Sequence, residues 1–593
     1  MSVARRAFLI TCLLVGAILM SSSTAEAYVY HVAEGATGTS TEDLVLVNPT
    51  SNLADVTITY RASTGSTIVQ SVTVAATSRK TIRVNTVDPA LANVGVSITV
   101  DSTQPLVVER SMFWSTAGKV AGHTGPSATP ALTWYLAEGA AGAFQDVIVL
   151  YNPNANAADV MLDFHTTSID PVATRSYTVP AASRLLVRPD LDIPELQGLA
   201  FSTRIASTNG VSIVVDRAMY WGAQQEVGHI AQGLSIPSSK WWFAEGAVGV
   251  TAAGLPTHDT YFVLFNTSAT TTANVEAMFH PEDGSAAVVR TYSVAPRARA
   301  TIWANQVTEL ADKAFSTYIR TTNNVSIVAE RSMYWGNGST WTDGHAAAGG
   351  QGASAIVFAE GRQGDVDGIS YDTYFELMNT ATSGPISVEA TFFREDGTGI
   401  VRTVALPPRT RQTYWAGQHI ELMNRTFSAA FKVVSGPGQV VAERSMYWGV
   451  GRASGTASEG QKFIIAPIAA PPTPQAANAP ITSPAAGTFL NDVSVSIGAE
   501  VGATIRYTTT GADPTEASPI YVEPLAFTGT TTLKVRAFVP GLSASTAITA
   551  TYQVQALPPS LNPAPGGSQV RSRCCCRARR RTFRFVTPLT APW

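Results

Sequence analysis

Glu109-Arg110-Ser111-Met112-Phe113-Trp114 recurs down the chain as Asp216-Arg217-Ala218-Met219-Tyr220-Trp221, Glu330-Arg331-Ser332-Met333-Tyr334-Trp335 and Glu443-Arg444-Ser445-Met446-Tyr447-Trp448. Each copy closes a unit that an aromatic-rich strand opens on Ala-Glu-Gly, at Ala33-Glu34-Gly35, Ala137-Glu138-Gly139, Ala244-Glu245-Gly246 and Ala359-Glu360-Gly361. Successive copies lie roughly 104 to 115 residues apart. That spacing is too long for solenoid or propeller repeats of about 20–50 residues and suits a sandwich of about 100.

Within a unit the hydrophobic period is two. Val56, Ile58 and Tyr60 alternate with Asp55, Thr57 and Thr59, and Val96, Ile98 and Val100 alternate with Ser97 and Thr99, the pattern of strands with one buried face. Thr64-Gly65, Asp283-Gly284 and Asp396-Gly397 fall between such runs and supply hairpin turns. Asn48-Pro49, Asn152-Pro153, Asn266-Thr267 and Asn379-Thr380 end an earlier strand. The expected fold is all-β: four tandem antiparallel Ig-like β-sandwich repeats plus a fifth, smaller β-sandwich. The expected boundaries are 28–130, 131–238, 239–353 and 354–465 for the repeats, 466–479 for a Pro-rich linker, 480–555 for the fifth domain and 556–593 for a disordered tail.

At 593 residues the chain exceeds what one core can organise. Only 14% of residues are charged and the formal net charge is -3, so the body carries no basic stripe for a phosphate backbone and nucleic acid is not an expected partner. Residues 1–27 read as an export signal: Arg5 and Arg6, an apolar run from Ala7 to Met20, then Ala25-Glu26-Ala27. Ala4-Arg5-Arg6-Ala7-Phe8-Leu9 is similar to the core of a twin-arginine signal, but the ordinary secretory route is favoured. No second long apolar run follows, so no transmembrane span is expected in the mature chain, which is read as secreted or held at a cell surface. Cys12 lies in the signal and Cys574, Cys575 and Cys576 in the Arg-rich tail, which leaves the repeats without disulfides.

The strongest charged constellation joins the two motifs. In a strand, Arg110 shares a face with Val108, Met112 and Trp114, and a buried guanidinium needs a partner. Intradomain ion pairs are therefore expected between Glu34 and Arg110, Glu138 and Arg217, Glu245 and Arg331, and Glu360 and Arg444. A general acid or base role for the glutamates is disfavoured, because active sites are seldom repeated in tandem. Gly122-His123, Gly228-His229 and Gly344-His345 give one histidine per unit, too few for a closed metal site. Asp365-Val366-Asp367-Gly368 with Asp372 is a weak calcium candidate; otherwise no cofactor, catalytic or metal site is expected. Arg83, Arg188, Trp303 and Trp415 occupy equivalent strand ends that face water. With Asn305, Gln306 and Gln418 nearby, Trp303 and Trp415 are candidate ligand contacts for a sugar ring or a protein partner.

After the linker, Tyr507-Thr508-Thr509-Thr510-Gly511-Ala512-Asp513-Pro514-Thr515, Pro519-Ile520-Tyr521 and Thr532-Leu533-Lys534-Val535-Arg536-Ala537-Phe538 resemble the C-terminal β-sandwich of chitobiase/β-hexosaminidase-type glycoside hydrolases. Its Tyr-Thr-x-Asp-Gly-x-x-Pro-Thr hairpin is matched except at Thr510, where the family usually has Asp. The resemblance covers about 75 residues and implies a glycan context. The four repeats resemble uncharacterised repeats of secreted bacterial proteins. The expected function is a noncatalytic binding or display scaffold with polysaccharide or cell-surface protein as partner. The alternatives are a structural adhesin or surface-layer component, and a glycoside-hydrolase accessory or hydrolase with a junction site.

Overall fold

Alternating runs of eight or nine residues, cut by Gly-containing turns, leave each repeat room for two small sheets. The computed structural model describes residues 28–116, 118–250, 256–336, 340–449, 452–463, 477–499, 503–539 and 543–556. The export signal, most of the linker and the Cys/Arg-rich tail lie outside the described residues. The chain divides into two compact units, one up to residue 469 and one from residue 470.

Repeat 1 shows the plan. Its strands are β1 (Tyr28–Val32), β2 (Ser40–Asn48), β3 (Ala54–Ala62), β4 (Thr67–Val74), β5 (Ser78–Arg83), β6 (Val96–Ser102), β7 (Val107–Thr116) and β8 (Lys119–Pro126). They form two antiparallel four-stranded sheets in the orders β1-β6-β3-β4 and β5-β2-β7-β8. Along β3, Val56, Ile58 and Tyr60 are buried while Asp55 and Thr57 face water, as the period of two requires. Gly65, Gly284 and Gly397 take φ of 91°, 78° and 75° at the hairpin turns, the left-handed region where a β-carbon would be strained. Repeat 2 reproduces both sheet orders, and repeats 3 and 4 reproduce them with added short strands. Each repeat has its own apolar core, around Tyr60, Phe164, Phe262 and Phe375 respectively.

The closing strand departs from the one-faced pattern: from Val107 to Trp114 every residue of β7 is buried. Its second face meets another repeat. The last strands of the four sheets, β8, Val227–Gln232, Trp341–Ala348 and Ser454–Glu459, contact one another in sequence and the fourth returns to the first. The repeats are therefore a closed ring rather than a string. Aromatic residues of the closing motif repeat the same contact at every seam. Trp114 meets Tyr220, Trp221 meets Tyr334, Trp335 meets Tyr447 and Trp448 meets Phe113, with ring centroids 5.7, 5.4, 5.5 and 5.5 Å apart and edge-on interplanar angles of 67°, 76°, 68° and 72°. Edge-to-face contact of this kind adds about 0.5–1.5 kcal/mol beyond area burial.

Glycine makes room for these rings. A β-carbon on Gly122 would stand 2.5 Å from the Phe113 ring, and on Gly228, Gly344 and Gly455 it would stand 2.5, 2.6 and 2.7 Å from Tyr220, Tyr334 and Tyr447. The Gly-His dipeptides thus lie on the strands at the ring axis. His123, His229 and His345 are buried there, and Thr456 takes the fourth place.

The second compact unit is a small sandwich of its own. Three strands (Ile481–Ser483, Val493–Gly498, Leu525–Phe527) face four (Gly487–Leu490, Thr504–Thr508, Thr531–Phe538, Ile548–Gln555). Val495, Leu533, Val535 and Tyr552 fill its core.

Candidate functional site

The Ala-Glu-Gly turns and the closing strands meet at the seams, and the ion pairs follow from that geometry. Arg110 lies 2.8 Å from Glu34, and Arg217 and Arg331 lie 2.7 Å from Glu138 and Glu245. All of these side chains are less than a tenth exposed. The acid that precedes each arginine points the other way, into the preceding repeat. Glu330 accepts the Ala137 amide at 2.6 Å and pairs with Arg217 at 2.8 Å. Glu443 accepts the amides of Ala244 and Glu245 and pairs with Arg331. Glu109 accepts the amides of Ala359 and Glu360 at 2.9 and 3.2 Å and pairs with Arg444 at 2.6 Å, which closes the ring between residues on its first and last repeats. Asp216, one methylene shorter, reaches the amides of Ala33 and Glu34 at 3.2 and 2.9 Å but forms no ion pair with Arg110, which lies instead 2.9 Å from His123 Nδ1.

The fourth expected pair is corrected by the structure. Glu360 does not pair with Arg444; it turns to Arg362 at 3.3 Å, Arg79 at 3.8 Å and the Ser111 hydroxyl at 2.9 Å. Repeat 4 alone has arginine after its Ala-Glu-Gly, where the others have Ala36, Ala140 and Ala247. That nearer guanidinium captures the carboxylate. Arg444 keeps the Glu360 carbonyl at 2.8 Å and takes the hydroxyls of Thr124 and Ser458 at 2.6 and 2.7 Å.

Burial sets the titration of this interior. Opposite the motif methionines, repeats 1 and 2 place Glu42 and Asp146, whereas repeats 3 and 4 place Thr260 and Thr373. Loss of hydration pushes Glu42 up to about 8, Asp146 to about 7 and Asp216 to about 6. It pushes Asp343 to about 8 and Glu459 to about 7. Burial holds His31, His165, His258 and His280 down at about 4 and His229 at about 3. The acids bind protons more tightly folded than unfolded, so their contribution is greatest at low pH and is lost as pH rises through 8. The histidines act oppositely, losing stability as pH falls below 6.5. Above 6.5 the acids outweigh what remains of the histidine titration, so the thermal midpoint of the ring is expected to fall by several degrees from pH 6.5 to pH 8.5. Calorimetry checks this, and Glu42→Thr with Asp146→Thr is expected to flatten the fall.

Register sets Trp303 opposite Tyr261 and Trp415 opposite Tyr374. The indoles are 39% and 42% exposed, so neither is packed away between repeats. Each is near-parallel to its tyrosine, with centroids 5.9 and 6.4 Å apart at 9° and 20°. The equivalent places in repeats 1 and 2 are charged instead: Arg83 pairs with Asp43 at 2.5 Å and Arg188 with Asp190 at 2.7 Å. Beside Tyr261, Trp341 stacks on Tyr334 at 4.4 Å and donates its indole proton to Asp259 at 2.8 Å. Asn305 is tied to Asp259 at 2.7 Å, while Gln306 and Gln418 are exposed. Trp341 was not singled out by the sequence; it lies six residues past the third closing motif, on the axial strand, where no strand pattern marks a surface site.

The weak calcium candidate is not assembled. Asp365 and Asp367 form a hairpin turn, with Asp365 accepting the Gly368 amide at 3.0 Å. Asp372 lies farther along the next strand and accepts from the Trp415 indole at 3.1 Å and from Arg452. Among the described residues no group of three His, Cys, Asp or Glu side chains is placed to hold a metal ion, and no helix is long and apolar enough to cross a membrane.

No curated protein matches the sequence. Among solved structures, "Crystal Structure of Thermotoga maritima 1070" is similar at 18% identity over 17% of this chain and 93% of that one, with a TM-score of 0.16. "Biofilm associated protein - BSP domain" is similar at 9% identity over 76% of this chain and 93% of that one, with a TM-score of 0.13. Likenesses this low carry no functional argument. The second compact unit is different: residues 484–550 match the family model of the Chitobiase/beta-hexosaminidase C-terminal domain, and this part of the chain is a β-sandwich of that type.

Proposed function

We propose that this chain is a noncatalytic, extracellular binding scaffold that contacts carbohydrate through the exposed aromatics of repeats 3 and 4. The observation that carries the reading is the pair of half-exposed indoles, Trp303 and Trp415, each laid flat against a tyrosine. A flat, rigid indole offers a sugar ring's C–H face a large contact at little conformational cost. The terminal domain supports a glycan context by its family, and the signal-like stretch at 1–27 supports export.

The test is retention of the full chain on chitin, cellulose and peptidoglycan. The Trp303→Ala, Trp415→Ala double variant is expected to lose at least tenfold in affinity with an unchanged thermal midpoint. Unchanged retention would remove the sugar reading in favour of a surface-layer or adhesin role. Release of reducing ends from glycoside substrates would overturn the noncatalytic one.

A further inference from the structure

Register sets one residue of each central strand opposite the acid of the closing motif. The pairs are Val45 with Glu109, Val149 with Asp216, Val263 with Glu330, and Glu376 with Glu443. Three repeats bury valine there. Repeat 4 buries a carboxyl, 3% exposed, whose nearest guanidinium, Arg411, is 3.8 Å away. Such a group costs stability, and a core position that breaks the rule its three siblings obey points to a site kept for another purpose.

In front of Glu376, at the seam of repeats 3 and 4, the fold leaves a cavity of about 240 Å³. Its floor is Glu245, Glu376 and Met333, all buried; its rim is half-exposed Glu282, Arg452 and Tyr374. Tyr374 is also the tyrosine under Trp415, so the pit opens beside that platform. The volume equals roughly eight waters at ~30 Å³ each, the scale of one sugar ring. The charges around it are already matched: Glu245 with Arg331 at 2.7 Å, Glu282 with Arg411 at 3.3 Å, and Arg452 with Asp372 at 3.1 Å. A charged guest would meet no free counter-ion. A neutral polyol would meet donors and acceptors on every side.

Ser445 Oγ joins the two floor carboxyls, 2.5 Å from Glu245 and 3.1 Å from Glu376. Burial and the adjacent Glu245 charge drive the Glu376 carboxyl well above the usual carboxylate range.

We propose that this pit binds one neutral sugar ring of a glycan that also lies on the Trp415–Tyr374 platform. The proposal rests on the carbohydrate reading above and adds the seam of repeats 3 and 4 to it. Glu376 then acts by hydrogen bonding to a ring hydroxyl, with Glu282 and Arg411 as the opposing acceptor and donor.

The experiment is calorimetric titration of the full chain with β-1,4-linked tetramers of N-acetylglucosamine and of glucose, alongside pull-down on chitin and cellulose. Glu376→Val installs the residue the other repeats use, so the thermal midpoint is expected to hold or rise while affinity falls at least tenfold. Glu376→Gln, neutral and able to hydrogen bond, is expected to stay within about threefold of wild type. Glu282→Gln at the rim is expected to weaken binding at least threefold and guards against a folding defect in the valine variant. Wild-type affinity in Glu376→Val and Glu282→Gln, with loss in the tryptophan double variant, overturns the pit and leaves the platform standing. Wild-type affinity in all of these variants, or no binding of any probe by the unaltered chain, overturns both.

Discussion

Glu109→Ala is expected to cost about 3–5 kcal/mol, the usual penalty for removing one member of a buried ion pair. The side chain is 1% exposed and does three things at once. It pairs with Arg444 and accepts two backbone amides of the last repeat. Alanine leaves the buried Arg444 guanidinium without its counter-ion and the amides of Ala359 and Glu360 without their acceptor. Asp216→Ala, at the equivalent place, is expected to cost less, about 1–3 kcal/mol, since Asp216 accepts amides without forming an ion pair. Urea midpoints followed by tryptophan fluorescence check the ranking. Equal losses for the two variants would show that the pair with Arg444 contributes nothing of its own.

Trp448→Ala is expected to cost a similar 3–5 kcal/mol. Trp448 is 1% exposed, donates its indole proton to the Val120 carbonyl of repeat 1 at 2.8 Å and meets Phe113 edge-on at 5.5 Å. If the repeats were a string, the damage would stay in repeat 4 and its sequence neighbour. In the ring it reaches repeat 1. Amide exchange should therefore accelerate along Lys119–Pro126 in this variant, and Phe113→Ala with Trp448→Ala should deviate from additivity by at least 0.5 kcal/mol. Unchanged exchange in that strand would mean the seam between repeats 4 and 1 opens freely.

The sandwich was readable because both of its causes are local. A period of two marks one-faced strands, and the Gly turns mark their ends. The partners of Arg110, Arg217 and Arg331 were readable for the same reason, since Ala-Glu-Gly and the closing motif belong to one repeat. Ring closure was not, because Glu109 and Arg444 meet only in space. The one local signal was the loss of alternation from Val107 to Trp114, a strand apolar on one side and apolar or paired on the other. Glu360 departed from its siblings through Arg362, two residues on, a difference visible only when the four turns are set side by side. Trp303 and Trp415 were legible as outward from their strand positions. Glu376 was not, since a lone glutamate in a strand normally marks a solvated face.

A linear array of repeats leaves two ends that must be given polar outer faces, and it can lengthen or shorten one module at a time. Here every module has a neighbour on either side, as each strand does in a barrel. The count is thus locked by the angle at the seams: losing or gaining one module would require every junction to be recut, so variation should enter by substitution within modules and not by changing their number.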